Sequence, residues 1–171
     1  MRNILIVSLA LTLHFLQPLA NASNLEADQG WLLLIIHADM ELHEIEISGA
    51  ESISIKRKDI PPGHSIHLRK VEAGEYTIRD VDITTFYRFT LTPDEWKFRV
   101  FPGAITYVGH FDVQSLSNDR ARLELVNRSS VALEYMQREH LELLEQIPFK
   151  YGGPGEDMFL QELERLGYGS R

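Results

Sequence analysis

The chain has no cysteine among its 171 residues, which excludes a disulfide framework, thiolate nucleophiles and cysteine metal ligands. After position 16 it has no apolar run approaching the ~20 residues of a membrane-spanning helix. No segment is strongly basic and the formal net charge is −8, so the electrostatic footprint expected for nucleic acid or an anionic membrane is missing. Catalytic motifs that can be read from local spacing are missing too. There is no Gly-x-Ser-x-Gly elbow, no Ser-x-x-Lys, no Walker loop and no His-Glu-x-x-His zinc helix. The nearest approach to the last, His140 followed by Glu142 and Glu145, lacks a second histidine.

What is present begins with an address. Arg2 precedes the apolar run Ile4 to Leu16, and Ala20-Asn21-Ala22 supplies small residues where signal peptidase reads. This order predicts a secretory signal peptide over 1–22, cleaved before Ser23. No cysteine stands at the junction to carry a lipid. The mature chain is therefore expected to be soluble, without a transmembrane segment, and periplasmic or secreted. An exported chain with no disulfides points to a bacterial envelope. Charge comes in blocks: 23–54 has seven acids and no Lys or Arg, 55–128 has twelve bases against ten acids, and 129–171 has four bases against eight acids.

From Trp31 to Arg128 the hydrophobic period is two. "WLLLIIHA" reads as a strand buried on both faces, while Ile45/Ile47 and Ile53/Ile55 alternate with polar residues around the turn "SGAE". In "GEYTIRDVDI" the phase set by Tyr76 and Ile78 slips to Val81 and Ile83, predicting a bulge near Arg79-Asp80. Three strands start after similar corners, "PPG" (61–63), "EAG" (72–74) and "FPG" (101–103). Pro-Gly turns of this kind suit passages between sheets better than two-residue hairpins. The pattern predicts a mainly β domain over 23–128, an antiparallel β-sandwich of about eight strands.

After Asn127 the period changes. Leu133, Met136, His140, Leu144 and Ile147 step by three or four and predict a helix over 131–146, capped by Ser129 or Ser130 and ended by Pro148. "KYGGPGED" (150–157) reads as a connector. "DMFLQELERLG" (157–167) reads as a second short helix stopped by Gly167. This two-helix tail, 129–171, is expected to pack on the sandwich.

Four groups of residues are candidates for chemistry or contact. In "ITYVGHFDV", strict alternation puts Ile105, Tyr107, Phe111 and Val113 on an inner face, with Gly109 as a gap that a neighbouring aromatic ring is expected to cover. His110 and Asp112, about 7 Å apart in an extended strand, then lie on an outer face and form no site. Together with His37 and Asp39 they define the alternative, a metal-dependent or carboxylate-based hydrolase, but zinc needs three or four convergent ligands. Asp80, Asp82 and Thr84 share a face as calcium ligands do, without the Gly-rich loops that supply carbonyl ligands. Among the aromatics of 86–111, Phe86 and Phe101 are surplus to the inner face and stand among cations. This makes Phe86, Arg88 and Phe101 the candidate partner-binding residues. Asn127-Arg128-Ser129 is a glycosylation sequon, meaningful only in a eukaryotic secretory pathway.

"PPGHSIHLRKVEAGEYTIRDV" followed by "FRVFPGAITYVGHFDV" resembles small exported bacterial proteins with transthyretin-like or carboxypeptidase-regulatory-like β-sandwich domains. Gly74 and Tyr76 match a recurrent Gly-x-Tyr strand start. Pro102, Gly103, Tyr107 and Gly109 match a later Pro-Gly-x-x-x-Tyr-x-Gly strand. The likeness covers about 60–115 and leaves out the helical tail; many relatives carry a lipid cysteine that this chain lacks. It implies a sandwich and an envelope address, and no catalytic residues. The expected function is a non-enzymatic exported module, with no metal or cofactor, that binds a protein or glycan partner in the cell envelope.

Overall fold

The computed structural model describes residues 25–84, 86–117 and 120–168; the expected signal peptide over 1–22 lies outside them. The protein is mainly β, with ten strands in two five-stranded sheets and three short helices near the C-terminus among the described residues. The first sheet holds β1 (Gln29–Ala38), β4 (Gly63–Glu72), β8 (Ile105–Ser117), β9 (Arg120–Val126) and β10 (Phe149–Tyr151). The second holds β2 (Glu44–Gly49), β3 (Ile53–Lys56), β5 (Gly74–Thr84), β6 (Tyr87–Thr90) and β7 (Lys97–Val100).

The three corners lie where the chain changes sheet: Pro62-Gly63 between β3 and β4, Ala73-Gly74 between β4 and β5, and Pro102-Gly103 between β7 and β8. Gly63 and Gly103 take φ of 101° and 64°, a left-handed conformation that side chains resist.

Each sheet has one long strand that changes partner partway along one edge. β5 keeps β2 on one side and pairs on the other first with β7 (74–77) and then with β6 (80–84). β8 keeps β1 on one side and pairs on the other first with β10 (105–107) and then with β9 (110–117). Both changeovers carry a bulge. Arg79 is skipped between the pairs Glu46–Asp80 and Ile47–Ile78, where the phase slip predicts it. Val108 is skipped between the pairs Leu33–Tyr107 and Leu34–Gly109, where strict alternation predicts none. An extra residue turns the following side chains to the opposite face.

Every pairing in the second sheet is antiparallel. The first sheet corrects the antiparallel expectation, because β1–β8 and β8–β10 run parallel. Parallel neighbours require long crossovers, and the whole second sheet is threaded between β1 and β8. The segment 150–157, expected as a connector, begins inside a strand. β10 is three residues long, too short for a period to show, and Gly152 and Gly153 follow it. A Cβ on Gly152 would lie 2.0 Å from the Arg99 carbonyl, and one on Gly153 2.2 Å from that of Val108. The two glycines thus let the chain pass against both β7 and β8.

Two apolar clusters divide the interior. One joins the sheets: Leu32, Leu34 and Ile36 of β1 and Phe111 and Val113 of β8 meet Ile45, Ile55, Tyr76 and Val81. The other lies on the opposite face of the first sheet, where Leu33, Ile35, Ile105 and Tyr107 meet Ala132, Met136, Leu143 and Ile147 of the helices. β1 feeds both, as a strand buried on two faces must.

The helix expected over 131–146 is two helices, α1 (Ser129–Glu139) and α2 (Leu141–Gln146), followed by α3 (Met158–Arg165). His140, at φ −139° and ψ 39°, ends α1 and starts α2: its N–H donates to the Met136 carbonyl, and its own carbonyl accepts from Leu143 and Leu144. Of the expected stripe Met136 and Ile147 are buried, while Ala132 and Leu143 take the buried places expected for Leu133 and Leu144. Neither serine caps α1. Arg128 occupies the N-cap, and Asn127 Oδ1 accepts from the Ser129 N–H at 3.0 Å and lies 2.7 Å from its hydroxyl oxygen.

Candidate functional site

The bulge at Val108 decides where the chemistry of β8 points. Tyr107 faces the helices, Phe111 and Val113 face the second sheet, and His110 returns to the Tyr107 side. Tyr107 and Phe111 therefore lie on opposite faces, against the alternation expected for 105–113. No ring covers Gly109 either. Its φ is 134°, and an added Cβ would lie 2.7 Å from Leu125 Cδ1 of β9.

His110 and Asp112 are not on a solvated outer face; each is 4% exposed. The Tyr107 hydroxyl accepts from the Arg128 N–H at 2.9 Å and lies 2.6 Å from His110 Nδ1. Burial, reinforced by the Arg128 charge, lowers the His110 pKa to about 4. Burial also raises that of Tyr107 well above the ordinary phenol value. The phenol has two acceptors in reach, His110 Nδ1 at 2.6 Å and the Val126 carbonyl at 3.4 Å, so it either donates to Nδ1 or donates to Val126 while accepting from Nδ1–H.

Asp112 ends a row that crosses three strands. His64 of β4 and His37 of β1 are register partners with rings stacked at 4.4 Å, and His37 Nδ1 lies 3.8 Å from Asp112 Oδ1. The Arg128 guanidinium grips the same carboxylate at 3.2 and 2.6 Å. Asp39, the fourth residue of the hydrolase alternative, turns aside to accept from the Ser115 N–H at 2.8 Å. His37, His110 and Asp112 thus share a face, but among the described residues no group of three His, Asp or Glu is placed to hold a metal ion. Asp80 and Asp82 are likewise engaged. Arg79 bonds to Asp80 at 2.6 Å, and Arg88 grips Asp82 at 2.7 and 2.9 Å. Burial pushes the Asp80 carboxyl up, but the hydrogen bonds from Thr90 and Arg79 outweigh it and hold the pKa below the usual carboxylate value.

The three candidate contact residues do not form one surface. Phe86 is 95% exposed beside Tyr87, the partner of Thr84 at one end of β5. Phe101 follows Val100, the partner of Gly74 at the other end. Ten residues of strand put them about 30 Å apart. The guanidinium of Arg88 is committed to Asp82. Phe101 is half-buried under two cations, Arg99 at 5.5 Å and Lys150 at 5.4 Å from the ring centre. Phe86 alone stands free of packing.

A larger concave feature lies among the helices, where sequence reading assigned no site. A groove of about 570 Å³ runs between α1, α2 and α3, its walls built by Leu133, Leu144, Ile147, Phe149, Phe159 and Leu163. Leu133 and Leu144, both partly buried, line it on either side of the break at His140. α3 is fastened at its N-terminal end. Its N-cap, Asp157, is buried, accepts from the Leu160 N–H at 2.9 Å and receives the Ser129 hydroxyl. No residue of α3 itself is buried; Phe159 is 42% exposed, and Tyr168 beyond the helix is 80% exposed. The amphipathic spacing of "DMFLQELERLG" was a usable sequence signal for the groove's outer wall. The break at His140 had none, since neither Gly nor Pro marks it.

No protein-family model matches the chain, and no curated protein matches it. Among the described residues, no helix is long and apolar enough to cross a membrane.

Proposed function

We propose that the protein is a non-enzymatic exported module, a transthyretin-like β-sandwich carrying a helical tail, that binds a protein or glycan partner in the cell envelope. The observation that carries this reading is the groove between α1, α2 and α3. It is lined by side chains on an outer helix that buries none of its own residues. A concavity of that volume, with apolar side chains set among polar ones, has the make-up of a binding site. The polar constellation of the first sheet supports the same reading from the other side. The carboxylate of Asp112 is saturated by Arg128 and the His110 Nδ1 by Tyr107, so these groups act on one another. The export half of the proposal rests on the apolar run at 4–16 and on Ala20-Asn21-Ala22.

A photoreactive amino acid at Leu163, compared with one at Phe86 and one at Phe101, tests the contact surface in extracts of the producing cell's envelope. A discrete crosslinked partner from position 163 is expected. Crosslinks confined to 86 or 101 move the surface to the sheets, and none from any position refutes the reading. N-terminal sequencing of exported material is expected to begin at Ser23; an intact Met1 would overturn the assignment of export by cleavage.

A further inference from the structure

Resting on the groove as the contact surface, we infer that its occupant is a cationic amphipathic segment of a partner protein, with apolar anchors flanked by lysine or arginine. The walls mix apolar and polar side chains, and among the described residues the charged ones that line the groove are of one sign: Glu134 on α1, Glu145 on α2 and Glu164 on α3. No lysine or arginine lines it, and none of the three glutamates forms an ion pair among the described residues. Neighbouring arginines are committed elsewhere, Arg138 to Glu139 at 2.7 Å and Arg165 to Glu162 through two bonds, one of 2.7 Å. Three exposed carboxylates, of which only Glu134 feels a nearby cation among the described residues, Arg138, repel an acidic ligand and attract a basic one.

The shape agrees. α3 spans eight residues, two turns and about 12 Å of helix. An eight-residue helix is marginal alone in water. With one end tethered through Asp157 and Ser129 and an apolar face over the groove, it is a wall that gains stability when the groove is filled. A ligand helix presenting anchors at i, i+3 or i+4, and i+7 fits two turns of groove. A second copy of this chain fits poorly, because its net charge is −8 and its own tail carries twice as many acids as bases.

The test uses the full mature chain and two fluorescein-labelled synthetic peptides, an amphipathic leucine–lysine helix and its leucine–glutamate counterpart. Binding is followed by fluorescence anisotropy at about 0.1 M salt, where the screening length is about 10 Å. Saturable binding of the lysine peptide and none of the glutamate peptide is expected. Glu134→Lys/Glu145→Lys/Glu164→Lys should weaken the lysine peptide about tenfold or more, equivalent to about 1.4 kcal/mol or more. A triple reversal off the groove, at Glu41, Glu72 and Glu95, should weaken it far less. Circular dichroism of both triple variants checks that the fold is kept, and Leu163→Asp should abolish binding. Equal losses from the two triple variants, equal binding of the two peptides, no binding by the native chain, or a dimer closed through the groove would each overturn the inference. The crosslink from position 163 separates this failure from that of the contact surface. A captured partner whose contacting segment is neutral or acidic leaves the surface standing and removes only the charge assignment.

Discussion

The hydroxyl of Tyr107 and Nδ1 of His110 meet at 2.6 Å across the bulge at Val108, in surroundings that disfavour a charged imidazole. Its pKa is lowered to about 4 from 6.5, first by burial and then by the charge of Arg128. The unfolded chain binds a proton here between those two values and the folded chain does not, so the stability the site contributes is complete above pH 6.5. It is lost progressively as pH falls towards about 4, by up to about 3 kcal/mol. Denaturant unfolding from pH 7 to pH 4 should therefore show a slope that His110→Gln reduces. Superimposable profiles for the two proteins would show that the imidazole does not carry it.

Arg128 and Asp112 should respond unequally to removal. Asp112 is buried and Arg128 is partly in solvent, so Arg128→Ala strands a carboxylate away from water, whereas Asp112→Asn leaves a guanidinium that water can reach. About 2 kcal/mol or more is expected for the first and about 1 kcal/mol for the second. Equal losses, measured by chemical denaturation of both variants, would mean that the carboxylate is better hydrated than its burial indicates.

Strand positions were legible because a half-buried strand repeats every two residues, and the bulge at Arg79 was legible because it moves the apolar phase from Ile78 to Val81. The bulge at Val108 was hidden by composition. Its flanks, Tyr107 and Phe111, are both large, and β8 is buried on both faces, so the apolar residues keep odd positions on either side of the bulge even though the change of face carries His110 and Asp112 to the Tyr107 side. β10 was too short for periodicity, and its parallel pairing depends on a crossover through helices that local pattern does not encode. The groove borders the break at His140, where the backbone turns without Gly or Pro. The candidate contacts Phe86, Arg88 and Phe101 were chosen by excess of aromatics and cations. Only three-dimensional pairing reveals that Arg88 belongs to Asp82 and that the two rings lie at opposite ends of β5.

The same break separates two adjacent leucines. Leu143 is buried against the first sheet and Leu144 lines the groove. Leu143→Ala should cost about 2–5 kcal/mol, as truncation of a buried leucine does, and Leu144→Ala less, about 1–2 kcal/mol, because Leu144 packs on the same cluster while only partly buried. An uninterrupted helix over 131–146 predicts the reverse order, so thermal unfolding of the pair decides between the two geometries.

Gly109 and Gly103 both take positive φ, 134° and 64°, but differ in surroundings. A Cβ at Gly103 meets nothing within 4 Å, whereas one at Gly109 would lie 2.7 Å from Leu125 Cδ1 and 3.4 Å from the Val126 carbonyl. Gly103→Ala therefore isolates backbone strain, about 1 kcal/mol. Gly109→Ala adds a contact that must push β9 from β8, bringing the expected loss to about 2–4 kcal/mol. β9 leads into Arg128, whose N–H bonds the Tyr107 hydroxyl, so this displacement loosens the Tyr107–His110 contact as well. Gly109→Ala should consequently lose part of the stability slope between pH 6.5 and pH 4, and Gly103→Ala should keep it. Equal losses for the two alanines with unchanged slopes would mean that Gly109 serves the backbone alone. A larger loss and a flattened profile at Gly109 would show that the bulge holds β9 in place for His110.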